Sequence, residues 1–288
     1  MNKQEFRVEA HKYLDDLLVD FEGYQNETAS LLDVFINFCN ENNIKYFVAF
    51  GSLLGLVRDH GPIPWDYDTD VCVPITEVSK ILAAQDKLPS GYYFESNYTN
   101  DNTQFYQMRL FKEGADKEFV HLDVFYIIGA PSSKEEVEKL SKQVHNVFSY
   151  RFYWYTQRQT KCSLLRRVYN SIKLRRMYGH HSIKKNNRLF EVLSTKYDYE
   201  KSDMIMTFSV TAAYLEKNVI EPLQTLEVNG KKYLVPNNID KYLKRYYKDY
   251  HSYLSISNRF NEFYQIIYEY NLKRGKNAKE LYSTFGES

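Results

Sequence analysis

"FGSLLGLVRDHGPIPWDYDTDVCVP", Phe50 to Pro74, reads as a glycine-serine turn, a short helical stretch, a Gly-Pro break and then a strand. Within it Asp66, Asp68 and Asp70 recur at every second position, beside Ile63, Trp65, Val71 and Val73. Asp68, Asp70 and Cys72 alternate with Thr69, Val71 and Val73, which is the pattern of a strand over residues 68–73. Residues i and i+2 of a strand share a face, roughly 6.6 Å apart at Cα, so Asp68 and Asp70 can converge on one point. Two carboxylates about 4 Å apart repel by about 4 kcal/mol at an effective dielectric near 20. Such a cluster in a half-buried setting calls for a cation, protons or good solvation, and a metal ion is the simplest answer. A neighbouring strand can add a third carboxylate, and "VHLDVF" offers Asp123 within an otherwise apolar run.

Two other readings compete. Asp66, Asp68, Asp70 and Glu77 occupy positions 1, 3, 5 and 12 of an EF-hand frame. Position 6 of that frame is Val71 instead of the turn glycine, Pro74 lies inside it, and "PIPW" is no entering helix. A solvated acidic turn is the second alternative, but the residues between the aspartates are strand formers.

Working outward, "NETASLLDVFINFCNENN" places Leu31, Leu32, Phe35, Phe38 and Cys39 on one helical face, with Asn26 as N-cap. "YFVAF" (46–50) follows as a buried strand, and further strands are expected at 92–96, 105–112 and 119–128. Strands interleaved with helices make a mixed α/β sheet. Beyond Pro131 the pattern is helical to about residue 217. A hairpin turning at Asn229-Gly230 comes next, then a helix from "NNIDKYLKRYYKDY" and aromatic-rich helix to about Tyr270. The division is a catalytic core over 1–130 and a mainly helical, basic region over 131–288.

The formal net charge of +1 hides an asymmetry. Residues 1–138 carry 11 basic and 24 acidic side chains, a net of −13, and residues 139–288 carry 27 and 13, a net of +14. Basic residues from Lys142 through Arg151, Arg166, Lys173, Arg175, Arg176 and Arg188 recur among aromatics with no acidic residue between Lys139 and Leu189. That pattern fits an anionic membrane surface, a solvated basic face or an acidic partner. No nucleic-acid motif accompanies it. Three cysteines without CxxC spacing suit a reducing compartment. A charged N-terminus and the lack of a long apolar run lead to the expectation of a cytoplasmic protein, peripheral at most to the inner face of the membrane.

The run "FVAFGSLLGLVRDHGPIPWDYDTDVCVP" resembles the signature of the LicD family of phosphotransferases, which includes bacterial phosphocholine transferases and fukutin-type ribitol-phosphate transferases. Gly51, Ser52, Leu53, Leu54, Gly55, Arg58, Ile63, Pro64, Trp65, Asp66, Asp68 and Asp70 carry the match, and "HLDVF" continues it. Two departures are Tyr67, where an aspartate is frequent, and Lys248, where a glycine is common. The resemblance implies a nucleotidyltransferase-like α/β fold in which Asp68, Asp70 and Asp123, with Asp66 less directly, hold Mg²⁺ or Mn²⁺. Asp123 is alternatively the general base. Gly51 and Ser52 would present backbone N–H groups to a phosphate, with a tight turn that needs glycine for φ > 0 as the alternative. Arg58 and Arg109 are candidates for the donor phosphates, or structural partners of the aspartates. Trp65 joins the donor-binding set.

The implied reaction moves a phospho-alcohol, foremost phosphocholine, from a CDP-activated alcohol such as CDP-choline. The implied acceptor is a cell-surface glycan such as capsule or teichoic acid, or its lipid-linked precursor, and CMP is released. A nucleotidyltransferase acting on a sugar or protein, and a catalytically silent scaffold binding nucleotide or glycan, are the alternatives.

Overall fold

The computed structural model describes residues 21–253, apart from Trp65, Tyr67, Asp101, Glu118, Phe119 and residues 160–162, 180 and 181. The helix expected to continue through Tyr250 to about Tyr270 stops at Tyr247, where Lys248 (φ 54°) turns the chain, and the part of it beyond residue 253 lies outside the described residues.

The fold is organised around β5, Leu122–Ala130, whose "LDVFYIIGA" is buried at every position but one. A near-continuous apolar run of this kind is what a strand covered on both faces needs. On one side β5 pairs in parallel with β2, Asp70–Pro74, in a register that sets Asp70 directly beside Asp123. On its other side two strands share the edge. β4, Met108–Lys112, runs antiparallel to the first part (Met108 opposite Val124), and β6, Met204–Thr207, runs antiparallel to the last part (Thr207 opposite Ile127). β1, Phe47–Val48, flanks β2; β3, Tyr92–Ser96, flanks β4; β7, Tyr214–Glu216, flanks β6. The result is a seven-stranded mixed sheet, the α/β architecture expected from the sequence.

Helices cover the sheet. α1, Phe21–Glu41, buries Leu31, Phe35, Phe38 and Cys39. α2, Phe50–Leu54, continues into a π-helical turn at Gly55–Asp59, and α3, Val78–Ala84, follows β2. After β5 come α4, Lys134–Gln159, α5, Leu164–Tyr178, and α6, Ile183–Thr195. The chain then passes through α7, Lys217–Ile220, to the hairpin β8–β9, Gln224–Val228 and Lys231–Val235. The hairpin turns at Asn229 (φ 52°) and Gly230 (φ 77°), the two left-handed positions that a type I′ turn requires. α8, Ile239–Tyr247, closes the described fold.

Where β4 and β6 diverge along the edge of β5, the gap is filled by rings. Tyr106 stacks on Phe190 at 4.3 Å between centroids, and Phe190 meets Phe208 edge-on at 4.8 Å. Arg151 supports this plug from below: fully buried, it donates through Nε to the Thr103 carbonyl (2.8 Å) and through a terminal nitrogen to Asn187 Oδ1 (2.8 Å). Its guanidinium also lies 4.6 Å from the Tyr106 ring centroid. The basic run is therefore not all surface.

Several boundaries differ from the sequence reading. α1 already includes Phe21, so Asn26 is interior to the helix and not its N-cap. The strand expected at 68–73 starts at Asp70, and that expected at 46–50 is cut short because Phe50 (φ 45°) turns the chain into α2. Helix was expected to about residue 217, yet β6 and β7 lie within that span. Runs as short as "MIMT" carry too little periodicity to separate strand from helix, and pairing with β5 decides. Because β6 and β7 complete the sheet, it draws strands from both sides of residue 130.

Candidate functional site

The parallel register of β2 and β5 brings the Asp70 and Asp123 side chains to the same face as neighbours. Asp68, two residues before Asp70, lies on the lead-in to the strand. The backbone there already follows the ladder, since Asp123 N–H donates to the Thr69 carbonyl at 2.9 Å. Carboxylate oxygens of Asp68, Asp70 and Asp123 all lie within 4.8 Å of one another.

The first turn of α2, with Ala49 just before it, holds this arrangement in place. Asp70 N–H donates to Ser52 Oγ (2.8 Å), and the Asp70 carbonyl accepts from Ala49 N–H (3.1 Å). Ser52 thus fixes the backbone of a cluster aspartate, with its hydroxyl proton left to donate elsewhere. Gly51 sits against the Asp66 carboxylate: a Cβ there would lie 2.5 Å from Asp66 Oδ2, so a side chain at residue 51 would push that carboxylate aside. The Asp66 backbone is tied down by the buried amide of Gln25 on α1, whose Nε2 donates to the carbonyls of Asp66 (2.6 Å) and Ile63 (2.9 Å).

The electrostatics are those of an under-neutralised acidic site. Burial first, then the charges of Asp70 and Asp66 and a hydrogen bond to Asp66, hold the Asp68 carboxyl well above the usual range. Burial, then Asp123 and Asp66, raises Asp70, and Arg109 offsets part of this. Arg109 stands opposite Asp123 across β4 and β5, its Nε 2.7 Å from Asp123 Oδ1, and its guanidinium lies over the Phe105 ring at 4.6 Å. His121 Nε2 is 3.7 Å from the same oxygen, and burial lowers its pKa, which favours the neutral ring. Among the described residues, the Arg109 guanidinium set against this group of carboxylates leaves room for a hard divalent cation, and an all-oxygen donor set suits such an ion.

The sequence-named residues do not all meet here. Asp66, Asp68, Asp70, Asp123, Gly51, Ser52 and Arg109 are brought together. Arg58 is engaged elsewhere: it contacts Asp59 Oδ2 at 3.0 Å with both side chains nearly buried, lies 4.4 Å over the Tyr253 ring and donates to the Tyr250 carbonyl. Trp65 lies outside the described residues. Glu77, the last position of the EF-hand frame, instead accepts from Lys45 N–H and from Lys80. Two residues were missed. Tyr247 of α8 faces the cluster, and burial with the charges of Asp70, Asp66 and Asp68 raises its phenol pKa. Gln25 carried no signal beyond being a polar residue on a helix. A cavity of about 220 Å³ opens beside the cluster, lined by Ser52, Asp66 and Asp68, by Leu32 of α1 and by Val228 and Tyr233 of the hairpin.

The LicD/FKTN/FKRP nucleotidyltransferase domain family matches residues 43–159, which span α2, the acidic run and β5. Residues 43–159 are a LicD-type nucleotidyltransferase domain. The LicD match extends further along the chain in one curated relative, the lipopolysaccharide cholinephosphotransferase LicD of Haemophilus influenzae. That protein is 24% identical over 237 residues, covering 77% of this chain and 87% of the relative. The chain is thus a distant homologue of that protein over most of its length. Among the described residues no helix is long and apolar enough to cross a membrane.

Divalent metal should stabilise this LicD domain measurably. A ligand at 100 times its Kd adds about 2.7 kcal/mol, which for a chain of this size is a melting shift of roughly 5 to 10 °C. The shift should shrink as pH falls, because protons compete with metal for Asp68 and Asp70, and their raised pKa values make that loss begin at higher pH than for ordinary carboxylates. Melting curves with Mg²⁺ or Mn²⁺ against chelator, at several pH values, check both statements; a melt indifferent to metal would remove the metal from the site.

Proposed function

We propose that this protein is a Mg²⁺-dependent phosphotransferase that moves a phospho-alcohol, foremost phosphocholine, from a CDP-activated donor to a cell-surface glycan or its lipid-linked precursor, releasing CMP. The observation that carries the reading is the convergence of Asp68, Asp70 and Asp123 oxygens within 4.8 Å in a LicD-type domain. The LicD relative's own name gives the phosphocholine assignment its support.

Phosphoryl transfer depends mainly on positioning and on stabilising charge. Asp68, Asp70 and Asp123 would hold the metal, which when bound neutralises charge on the phosphate oxygens. Arg109 fixes Asp123 through Nε, and its side chain is partly exposed, which would let a remaining donor meet a phosphate oxygen. Asp123 or a neighbouring carboxylate accepts the proton of the acceptor hydroxyl. Tyr247, with its phenol kept protonated, is a donor aimed at the same space.

The test is CMP release from CDP-choline, CDP-ethanolamine, CDP-glycerol and CDP-ribitol with Mg²⁺, with and without a glycan acceptor. Release from one donor, with the phospho-alcohol recovered on the acceptor, is the expected outcome. A nucleotidylated acceptor in place of free CMP would overturn it in favour of nucleotidyl transfer.

A further inference from the structure

α5 turns an apolar face away from the protein that carries it. Leu164, Leu165, Val168, Tyr169 and Ile172 recur at the spacing that lines one side of a helix, and all five are exposed, Leu165 to 83%, Leu164 to 77% and Tyr169 to 66%. The other side does the holding: Leu174 is buried, and the Tyr178 ring stacks on Tyr153 of α4 at 5.8 Å. Ser163 caps the helix by accepting from Arg166 N–H. Soluble surfaces seldom present this much contiguous large apolar area without an occupant.

Charge identifies the occupant. Arg166, Lys173, Arg175 and Arg176 are all exposed on the same helix, and the sequence holds no Asp or Glu from Lys139 to Phe190. We propose that α5 is an interfacial anchor that lies flat on an anionic lipid bilayer, its five apolar side chains at the headgroup–acyl boundary and its cations on lipid phosphates. A second copy of the chain would cover the apolar face only by bringing two strongly basic helices together. A nucleic acid would answer the cations and leave Leu164, Leu165 and Ile172 in water. A lipid surface satisfies both features of one helix.

The test is flotation of the full chain with vesicles of phosphatidylcholine alone and of phosphatidylcholine mixed with phosphatidylglycerol, a readout that does not depend on turnover. Binding should require the anionic lipid and weaken by about tenfold or more at high salt. The Leu165→Asp/Tyr169→Asp variant alters side chains that touch solvent, so its melting curve should match the parent's, and its partition should fall by about tenfold or more. Lys173→Glu/Arg176→Glu should lose roughly fivefold or more per cation on anionic vesicles only. Equal binding to neutral vesicles, no flotation, or unchanged flotation of Leu165→Asp/Tyr169→Asp would overturn the anchor. A parent dimer that this variant converts to monomer, without vesicle binding by either, would assign the face to self-association instead.

Discussion

Asp70→Asn should lower turnover by about a thousandfold or more while leaving the metal-free protein as stable as the parent, or more so. The first half follows from removing a charge that positions both the cation and the neighbouring carboxylates, a class of loss that reaches about a thousandfold for single electrostatic groups. The second half follows from the raised pKa of Asp70. A carboxyl whose folded pKa exceeds its unfolded value is destabilising once ionised: the cost is absent below the unfolded pKa, grows as pH rises through the folded pKa and is fully present above it. Asparagine removes that charge and keeps the shape, and the backbone contacts of residue 70 to Ser52 and Ala49 are untouched. Activity on the donor that the parent uses, paired with metal-free melting curves, checks both halves. Retained turnover would take Asp70 out of the machinery, and a melting temperature several degrees below the parent's would make it a structural residue instead.

Gly55→Ala should be the most damaging small substitution in the α2 region, although it adds one methyl group. A Cβ at residue 55 would lie 2.5 Å from the Gly61 carbonyl oxygen and 2.9 Å from Ile63 N, both backbone atoms that cannot swing aside. The Gly55 carbonyl also accepts from Gly61 N–H at 3.3 Å, so the contact holds the loop closed on the helix. Overpacking of this kind costs about 3 kcal/mol, or roughly 6 to 12 °C in melting temperature for a chain of this length. Activity should fall with it, since the displaced loop leads through Ile63 and Asp66 into the acidic cluster. Gly230→Ala is the control: it meets nothing within 4 Å, and its only penalty is the positive φ. Thermal melts of the two variants side by side decide the matter, and a Gly55→Ala melt no lower than the control's would show that the loop yields.

Much of the site was legible because it is written in local patterns. Asp68 and Asp70 stand at i and i+2, and Asp123 lies alone in an apolar strand, so alternation and pairing distance were enough to bring them together. What stayed hidden depends on distant parts of the chain. Tyr247 reaches the cluster from α8, nearly two hundred residues after Gly51, and its aromatic neighbours Tyr242 and Tyr246 are packed side chains of the same helix. Arg58 had a local competitor in plain view: Asp59 follows it immediately and pairs with it at 3.0 Å, with both side chains nearly buried. Arg151 illustrates the converse. In the sequence it is one cation among many, and only the packing of Thr103, Tyr106 and Asn187 around it shows that it serves the interior.

The divided edge of β5 bears on solubility. Half of that edge is protected by β4 and half by β6, and Phe190 of α6 closes the gap between them. The LicD-type segment, residues 43–159, contains β5 and β4 but neither β6 nor α6. Expressed alone, it would carry a strand whose last four residues present unpaired backbone groups beside an uncovered aromatic cluster, the combination that recruits a second chain edge to edge. The helical excursion from Lys134 to Thr195 and the return through Met204 thus keep this sheet from becoming a template for aggregation.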